Sequence, residues 1–307
     1  MSDEQTLNGF KAASKIIRWL ELGDRFSLPI DLDCVRELLP ETPLGQGESI
    51  KPPQPLQLSS SEGALVRNPE NDKEWGIFYN ASAGRERQRF TIAHELGHFI
   101  LHRKSQPAFN CSKESIHTGI EGLKEIEREA DDFASNLLMP GEQFRDRIHG
   151  KRIDFRLMSD IAKEFDVSLE SLCIRFVKYT EQRAVLLHWD NGFLKYQWRS
   201  KSAIKTGVKL RKNSDPQEPP IETLAADDSI SQEWDGIDMP ANRWCTNEPE
   251  QIALRELKHT WIGKNRVLSL LILESAAPRP FVRSGWEDEQ LHDSFDRFVD
   301  SGQLPVR

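Results

Sequence analysis

The chain has 307 residues, of which 37% are hydrophobic and 29% charged, and a net charge of −8. That composition suits a soluble globular protein with a real core, long enough for one large domain or two ordinary ones. The acidic balance argues against a broad basic face for nucleic acid or a membrane surface.

Cys34, Cys111, Cys173 and Cys245 are far apart and form no Cys-x-x-Cys pair. That spacing argues against both a disulfide framework and a thiolate zinc site. The stretch MSDEQTLNGFKAASK holds no apolar run of a secretory signal, and no stretch of about 18 apolar residues offers a spanning helix. A cytoplasmic protein without membrane contact is expected.

In chain order, residues 9–22 place Phe10, Ala13, Ile16 or Ile17, and Leu20 at helical spacing. Residues 28–39 read as a short helix with Asp31 or Asp33 as its cap. Residues 40–62, rich in Pro, Gly, Ser and Gln, read as loop. GALVR and EWGIFYN follow as two strands, the second ending near Asn80. Next come the helix of residues 89–102 and a second at 123–140, whose apolar stripe holds Ile126, Ala130, Phe133, Ala134, Leu137 and Leu138 before Pro140 ends it. Two more helices are expected at about 154–165 and 169–179.

After residue 180 the texture changes. AVLLHWDNGFLKYQW reads as a hairpin on Asn191-Gly192, and ELKHTWIGKNRVLSLLILE as another around Gly263-Lys264-Asn265. Residues 211–242 are polar, acidic and proline-containing, and read as a long loop. Ser284 and Glu287 have capping-box spacing before a last helix. The class is therefore α+β, with a mainly helical domain over 1–180 and a mainly β domain over 181–307.

The stretch RFTIAHELGHFILH carries the chemistry. On a helix, His94 and His98 lie about 40° apart and one turn along the axis, so both imidazoles can point at one ion. Glu95, about 100° from His94, can reach a water on that ion without being a ligand. Zinc binds imidazole well, and with three protein ligands and an open place it lowers the pKa of its water towards 7. Glu95 would take the proton as general base and deliver it to the leaving amine. This is the His-Glu-x-x-His arrangement of metallopeptidases. Gly97, costly in a helix by about 1 kcal/mol relative to alanine, implies close approach by another element. The bland alternative is a helix whose histidines are surface residues or satisfied core donors.

A third ligand is available in EREADDFA. Glu127 and Asp131 share a helix face. Glu127 can give an oxygen to the metal, and Asp131 can accept from the outer N–H of a ligand histidine. Glu129 is about 200° from Glu127, so both cannot face one ion, and Glu127 is preferred because it brings Asp131 to the same side. Manganese is the alternative ion for such a site. His102, roughly 12 Å along the axis from His94, cannot join the same ion and reads as a cleft-wall or structural residue. Lys104 stands where a metzincin would place its third histidine. His117, His149, His188, His259 and His292 lack ligand-like spacing and read as ordinary.

RQRFTIAHELGHFILH followed by EREADDFASNLLMP resembles the ImmA/IrrE family of zinc metallopeptidases. LPIDLDCVRELL, GIFYN and MSDIAKEFDVSLESLCIRF resemble further parts of that family's domain, so the likeness spans about residues 9–180. The resemblance implies a zincin-like fold, zinc held by His94, His98 and Glu127, and Glu95 as base. It also implies a bacterial protease that cleaves a helix-turn-helix repressor or antitoxin-like regulator in a stress, DNA-damage or mobile-element response. Some members carry a C-terminal sensor domain, and residues 181–307 would here be an accessory sensor or substrate-docking domain. An extended substrate is expected beside the strand ending near Tyr79 and Asn80.

Two other classes compete. IAKEFDVSLESLCIRF has helix-turn-helix texture, with Val167-Ser168 opening its second helix. That helix carries little positive charge beyond Arg175 and Lys178, so direct nucleic-acid binding is not expected. The other reading is a ligand-sensing regulator with a structural or vestigial metal site, against which Glu95 argues. Trp189, Trp198, Trp234, Trp244, Trp261 and Trp286 read as core before ligand pocket.

Overall fold

The computed structural model describes residues 7–57, 61–112, 121–261 and 263–277. The expected helix after Ser284 lies outside them, as do His117, His292 and Trp286. The described residues form eight α-helices and two five-stranded sheets, and the chain divides into two compact units.

The first unit comprises the described residues of Met1–Lys151 with Lys163–Ser168. Helix α1 (Gly9–Leu22) starts where the Asn8 side chain accepts from the Lys11 N–H and buries Ala12, Ala13, Ile16 and Leu20. Helix α2 (Leu32–Leu38) is capped by Asp31, whose carboxylate accepts from the N–H groups of Asp33 and Cys34. Strands β1 (Ser49–Ile50), β2 (Gln54–Leu56), β3 (Ser61–Arg67), β4 (Glu74–Asn80) and β5 (Ala108–Ser112) form the sheet. Its order is β1-β4-β3-β5, with β2 also on β4.

Two sequence expectations change here. The segment 40–62 is not all loop, because β1 and β2 add in parallel to β4. They are very short, and Pro55 sits where an edge strand tolerates it. Strand β4 therefore offers no open edge near Tyr79 and Asn80: Pro55 and Leu56 pair with those two residues on one side, and Gly63 pairs with Tyr79 on the other. Among the described residues the far edge belongs to β5, which pairs with β3.

Helix α3 (Arg85–His102) carries the two histidines, and α4 (Glu121–Leu138) and α5 (Gly141–Ile148) follow. Gly97 is where α3 meets α4. A Cβ there would lie 3.0 Å from the Ala130 Cα and 3.1 Å from its carbonyl oxygen. So close an approach of two backbones leaves little room for a side chain at this position. It fixes the rotation of α4 and so decides which of its acids face α3.

The second unit comprises Arg152–Ala162 and the described residues of Leu169–His292, so the division passes through α6 (Phe155–Phe165) and leaves α7 (Leu169–Tyr179) with the second sheet. A line at residue 180 separates the two sheets, whereas α7 packs on β6 (Arg183–Asp190) and β7 (Phe193–Arg199). With β8 (Gln232–Pro240), β9 (Ala253–Trp261) and β10 (Arg266–Leu273), the second sheet has the order β7-β6-β10-β9-β8, all antiparallel. Asn191 (φ 52°) and Gly192 (φ 84°) form the two-residue turn between Asp190 and Phe193, the positive-φ pair that such hairpins require. Strands β9 (Ala253–Trp261) and β10 (Arg266–Leu273) are the second expected hairpin. One sheet face buries Val185, Leu187, Trp189, Leu254 and Leu271 with Trp244.

The segment 211–242 is not simply loop either. It contains β8 (Gln232–Pro240), an edge strand on β9. Its register shifts between Glu233 and Ile237, where Gly236 takes φ 83°. A bulge of that kind breaks the two-residue alternation that marks a strand in sequence. A short helix, α8 (Lys201–Lys205), follows β7 and is capped by Ser200. No described helix is long and apolar enough to cross a membrane.

Candidate metal centre

Helix α3 is anchored at both ends. Near its start, Arg85 and Arg89 reach the Asp166 carboxylate at 2.8 and 3.2 Å. At its end, the buried Arg103 donates to the Phe99 carbonyl, the Gly45 carbonyl and Glu48, which also accepts from the Trp75 indole N–H. Between these anchors the helix buries His94, Glu95 and His98. Three polar side chains in one buried stretch cost stability unless they serve one another or a ligand.

The side chains converge. The Nε2 atoms of His94 and His98 lie 2.9 Å apart. Glu127 on α4 brings Oε2 to 3.2 Å from the first and Oε1 to 3.4 Å from the second. One ligand atom from each of the three falls within 4.8 Å of the others. The Nδ1 of His94 sits 2.8 Å from Asp131 Oδ1. A carboxylate accepts, so this nitrogen carries the ring proton and Nε2 presents its lone pair. Two imidazole nitrogens and one carboxylate oxygen are a donor set suited to zinc.

Glu129 takes a different direction, with Oε2 at 3.0 Å from His102 Nε2. His102 is buried and puts Nδ1 at 3.1 Å from His98 Nδ1. Phe109 of β5 stacks on the His98 ring at 4.7 Å between centroids.

Glu95 is wholly buried and faces β3. A Cβ on Gly63 would stand 2.7 Å from Glu95 Oε1 and 2.4 Å from Thr91 Cγ2. Gly63 thus makes the space that the carboxylate uses, although sequence reasoning assigned it no role. A glycine inside a strand was the available signal. Gly63→Ala is expected to cost about 1–3 kcal/mol in urea unfolding through overpacking. A variant as stable as the wild type would show that this contact relaxes freely.

Burial is the largest influence on His98 and, against the nearby Glu127 carboxylate, pushes its imidazole down to about 4. Burial alone would raise the Glu127 carboxyl, but His94 and His98 beside it hold it well below the usual carboxylate range. The neutral imidazole and ionised carboxylate are the forms that bind a metal. The pH dependence has a definite sign. The unfolded chain takes up a proton at His98 below about 6.5, whereas the folded, metal-free chain does so only near 4. Stability should fall as pH drops through that window and level off below it, by about 3 kcal/mol for this group. Urea titrations across the window check this, and His98→Gln should reduce the slope.

The remaining histidines lie elsewhere. His149 is exposed. In the second unit, His188 is buried against the Glu170 carboxylate and the Tyr196 hydroxyl, and His259 lies beside Trp261 and Trp234. Trp189, Trp198 and Trp244 are buried. Helix α7, the second element of the helix-turn-helix texture, buries Leu172 through Val177, Arg175 included. A recognition helix needs a face open to the major groove, and α7 presents little of one.

Residues 54–177 match the family model described as the IrrE N-terminal-like domain, of peptidase family M78. No curated protein gives a significant match. A solved structure of a Mycobacterium tuberculosis transcriptional regulator is similar at 15% identity over 85% of this chain and 75% of that one, with a TM-score of 0.45. The matched segment holds α3, α4 and all of His94, Glu95, His98, Glu127 and Asp131. The family model that residues 54–177 match is that of the family the two sequence motifs resemble.

Proposed function

We propose that the chain is a zinc-dependent endopeptidase, zincin-like in architecture, that acts on a helix-turn-helix repressor or antitoxin-like regulator in the cytoplasm. The observation that carries the reading is the convergence of His94, His98 and Glu127, with Glu95 one residue along the same helix. His94, His98 and Glu127 would hold the ion, zinc in the first instance and manganese as the alternative. A divalent ion bound there would polarise the scissile carbonyl and acidify the attacking water.

The chain's own residues supply the rest. Glu95 takes the proton from the attacking water and returns it to the leaving amine. Asp131 holds the His94 Nδ1–H at 2.8 Å and so keeps the Nε2 lone pair available for binding. Strand β5, with Phe109 stacked on His98, lies beside the site. Among the described residues the outer edge of β5 is unpaired, and an extended peptide adding to it would lie near the metal centre, which supports an endopeptidase with a backbone-read substrate. The repressor as substrate rests on the family resemblance. Residues 181–307 would serve as the accessory sensor or docking domain.

The test is cleavage of candidate repressors by the purified chain before and after chelation. Cleavage should stop on chelation and return with stoichiometric zinc. Cleavage that continues in the metal-stripped chain would remove the metal from the mechanism.

A further inference from the structure

We propose that His102 and Glu129 form a proton-ordering relay that holds His98 in the one tautomer able to bind a metal. The inference rests on the metal-centre reading above.

A neutral imidazole has one proton for two nitrogens. For His94 the choice is made by Asp131, as described. The outer nitrogen of His98 faces another imidazole instead: its Nδ1 lies 3.1 Å from the Nδ1 of His102. Two such nitrogens can bond only if one carries the proton and the other does not, and either assignment satisfies the pair. In one of them His98 places its proton on Nε2, where it would block the metal.

Glu129 selects the other. Its Oε2 is 3.0 Å from His102 Nε2, and an ionised carboxylate only accepts. His102 therefore carries its proton on Nε2, and its Nδ1 is a lone pair that accepts from His98 Nδ1–H. His98 Nε2, 3.4 Å from Glu127 Oε1, then presents its lone pair on the side of the metal ligands. Every proton in the chain has one place. The rings are held for it: His98 and His102 have centroids 5.3 Å apart, and Phe109 stacks on the first and flanks the second at 6.3 Å. Burial of both rings keeps water from competing. Glu127 and Glu129, two residues apart on α4, thus serve the two sides of the same histidine.

His102 and Glu129 are positioning residues, so the test reads metal affinity as well as folding. Zinc dissociation constants are measured by competition with a chromophoric chelator, and melting temperatures on the metal-free chain. His102→Leu should weaken zinc binding about 10–100-fold, as loss of such outer partners does. His102→Gln, whose carbonyl can accept from His98 and whose amide can donate to Glu129, should recover most of that loss. Equal affinity in the leucine variant and the wild type overturns the relay, and so does an equal loss in both variants, which is what mere packing would give. If His102→Leu does not fold, Glu129→Ala at the partly exposed acid replaces it. Weaker zinc binding at an unchanged melting temperature supports the relay, and unchanged affinity ends it. A wild-type chain that binds no zinc takes down the metal-centre reading itself.

Discussion

Glu95→Gln is expected to lower peptide cleavage by about 10²–10⁴-fold, the usual contribution of general acid–base catalysis, while zinc content stays at the wild-type level. The separation follows from the geometry. Glu95 is buried against β3, where Gly63 makes room for its carboxylate, whereas Glu127 faces the two Nε2 atoms. Glutamine keeps the shape and the burial of the side chain and loses only its ability to take up a proton. Folding and metal binding should therefore survive, and the loss should fall on the rate. Cleavage and zinc content are measured on the same preparation. A Glu95→Gln variant as active as the wild type would take Glu95 out of the reaction.

Glu127→Ala is expected to have the other large effect, on the metal rather than on proton transfer. Removing this carboxylate leaves two imidazoles and deletes the only charged donor of the trio. Zinc content after dialysis should fall well below one equivalent, and cleavage should fall with it. The metal-free variant should also lose its charge partner for His94 and His98, so their protonation should no longer be favoured by Glu127. Asp131→Asn is expected to be milder, in the range of about 10–100-fold for an outer partner. If Glu127→Ala keeps full zinc content while Glu129→Ala loses it, the assignment of the two acids on α4 is reversed.

What the sequence made legible follows from how locally each feature is encoded. The trio His94, Glu95 and His98 lies within little more than one helical turn, so helix geometry alone aligns it. The choice of Glu127 over Glu129 also followed from helix rotation, and α4 does turn the two acids to different partners. The turn at Asn191-Gly192 was readable because its backbone needs two positive φ angles that few residue pairs supply.

Features that depend on distant chain were not readable. Strands β1, β2 and β8 are short, polar or bulged edges, and only the strand they join makes them strands. The site of Gly97 could be recognised as a close approach, but its partner, Ala130, is named only by the packing. His102 was judged against His94, too far along the helix to share its ion. Its partner is His98, one turn away, at the same spacing that relates His94 to His98. Gly63 went unremarked because its function depends on a helix that follows it by more than twenty residues.

The most direct test of the central claim is anomalous diffraction at the zinc edge from crystals of the zinc-loaded chain. One peak should appear within about 2.0–2.2 Å of His94 Nε2, His98 Nε2 and a Glu127 oxygen, with Glu95 beside it and outside the coordination shell. Absence of any peak between α3 and α4, with the Glu127 carboxylate turned to solvent, would contradict it.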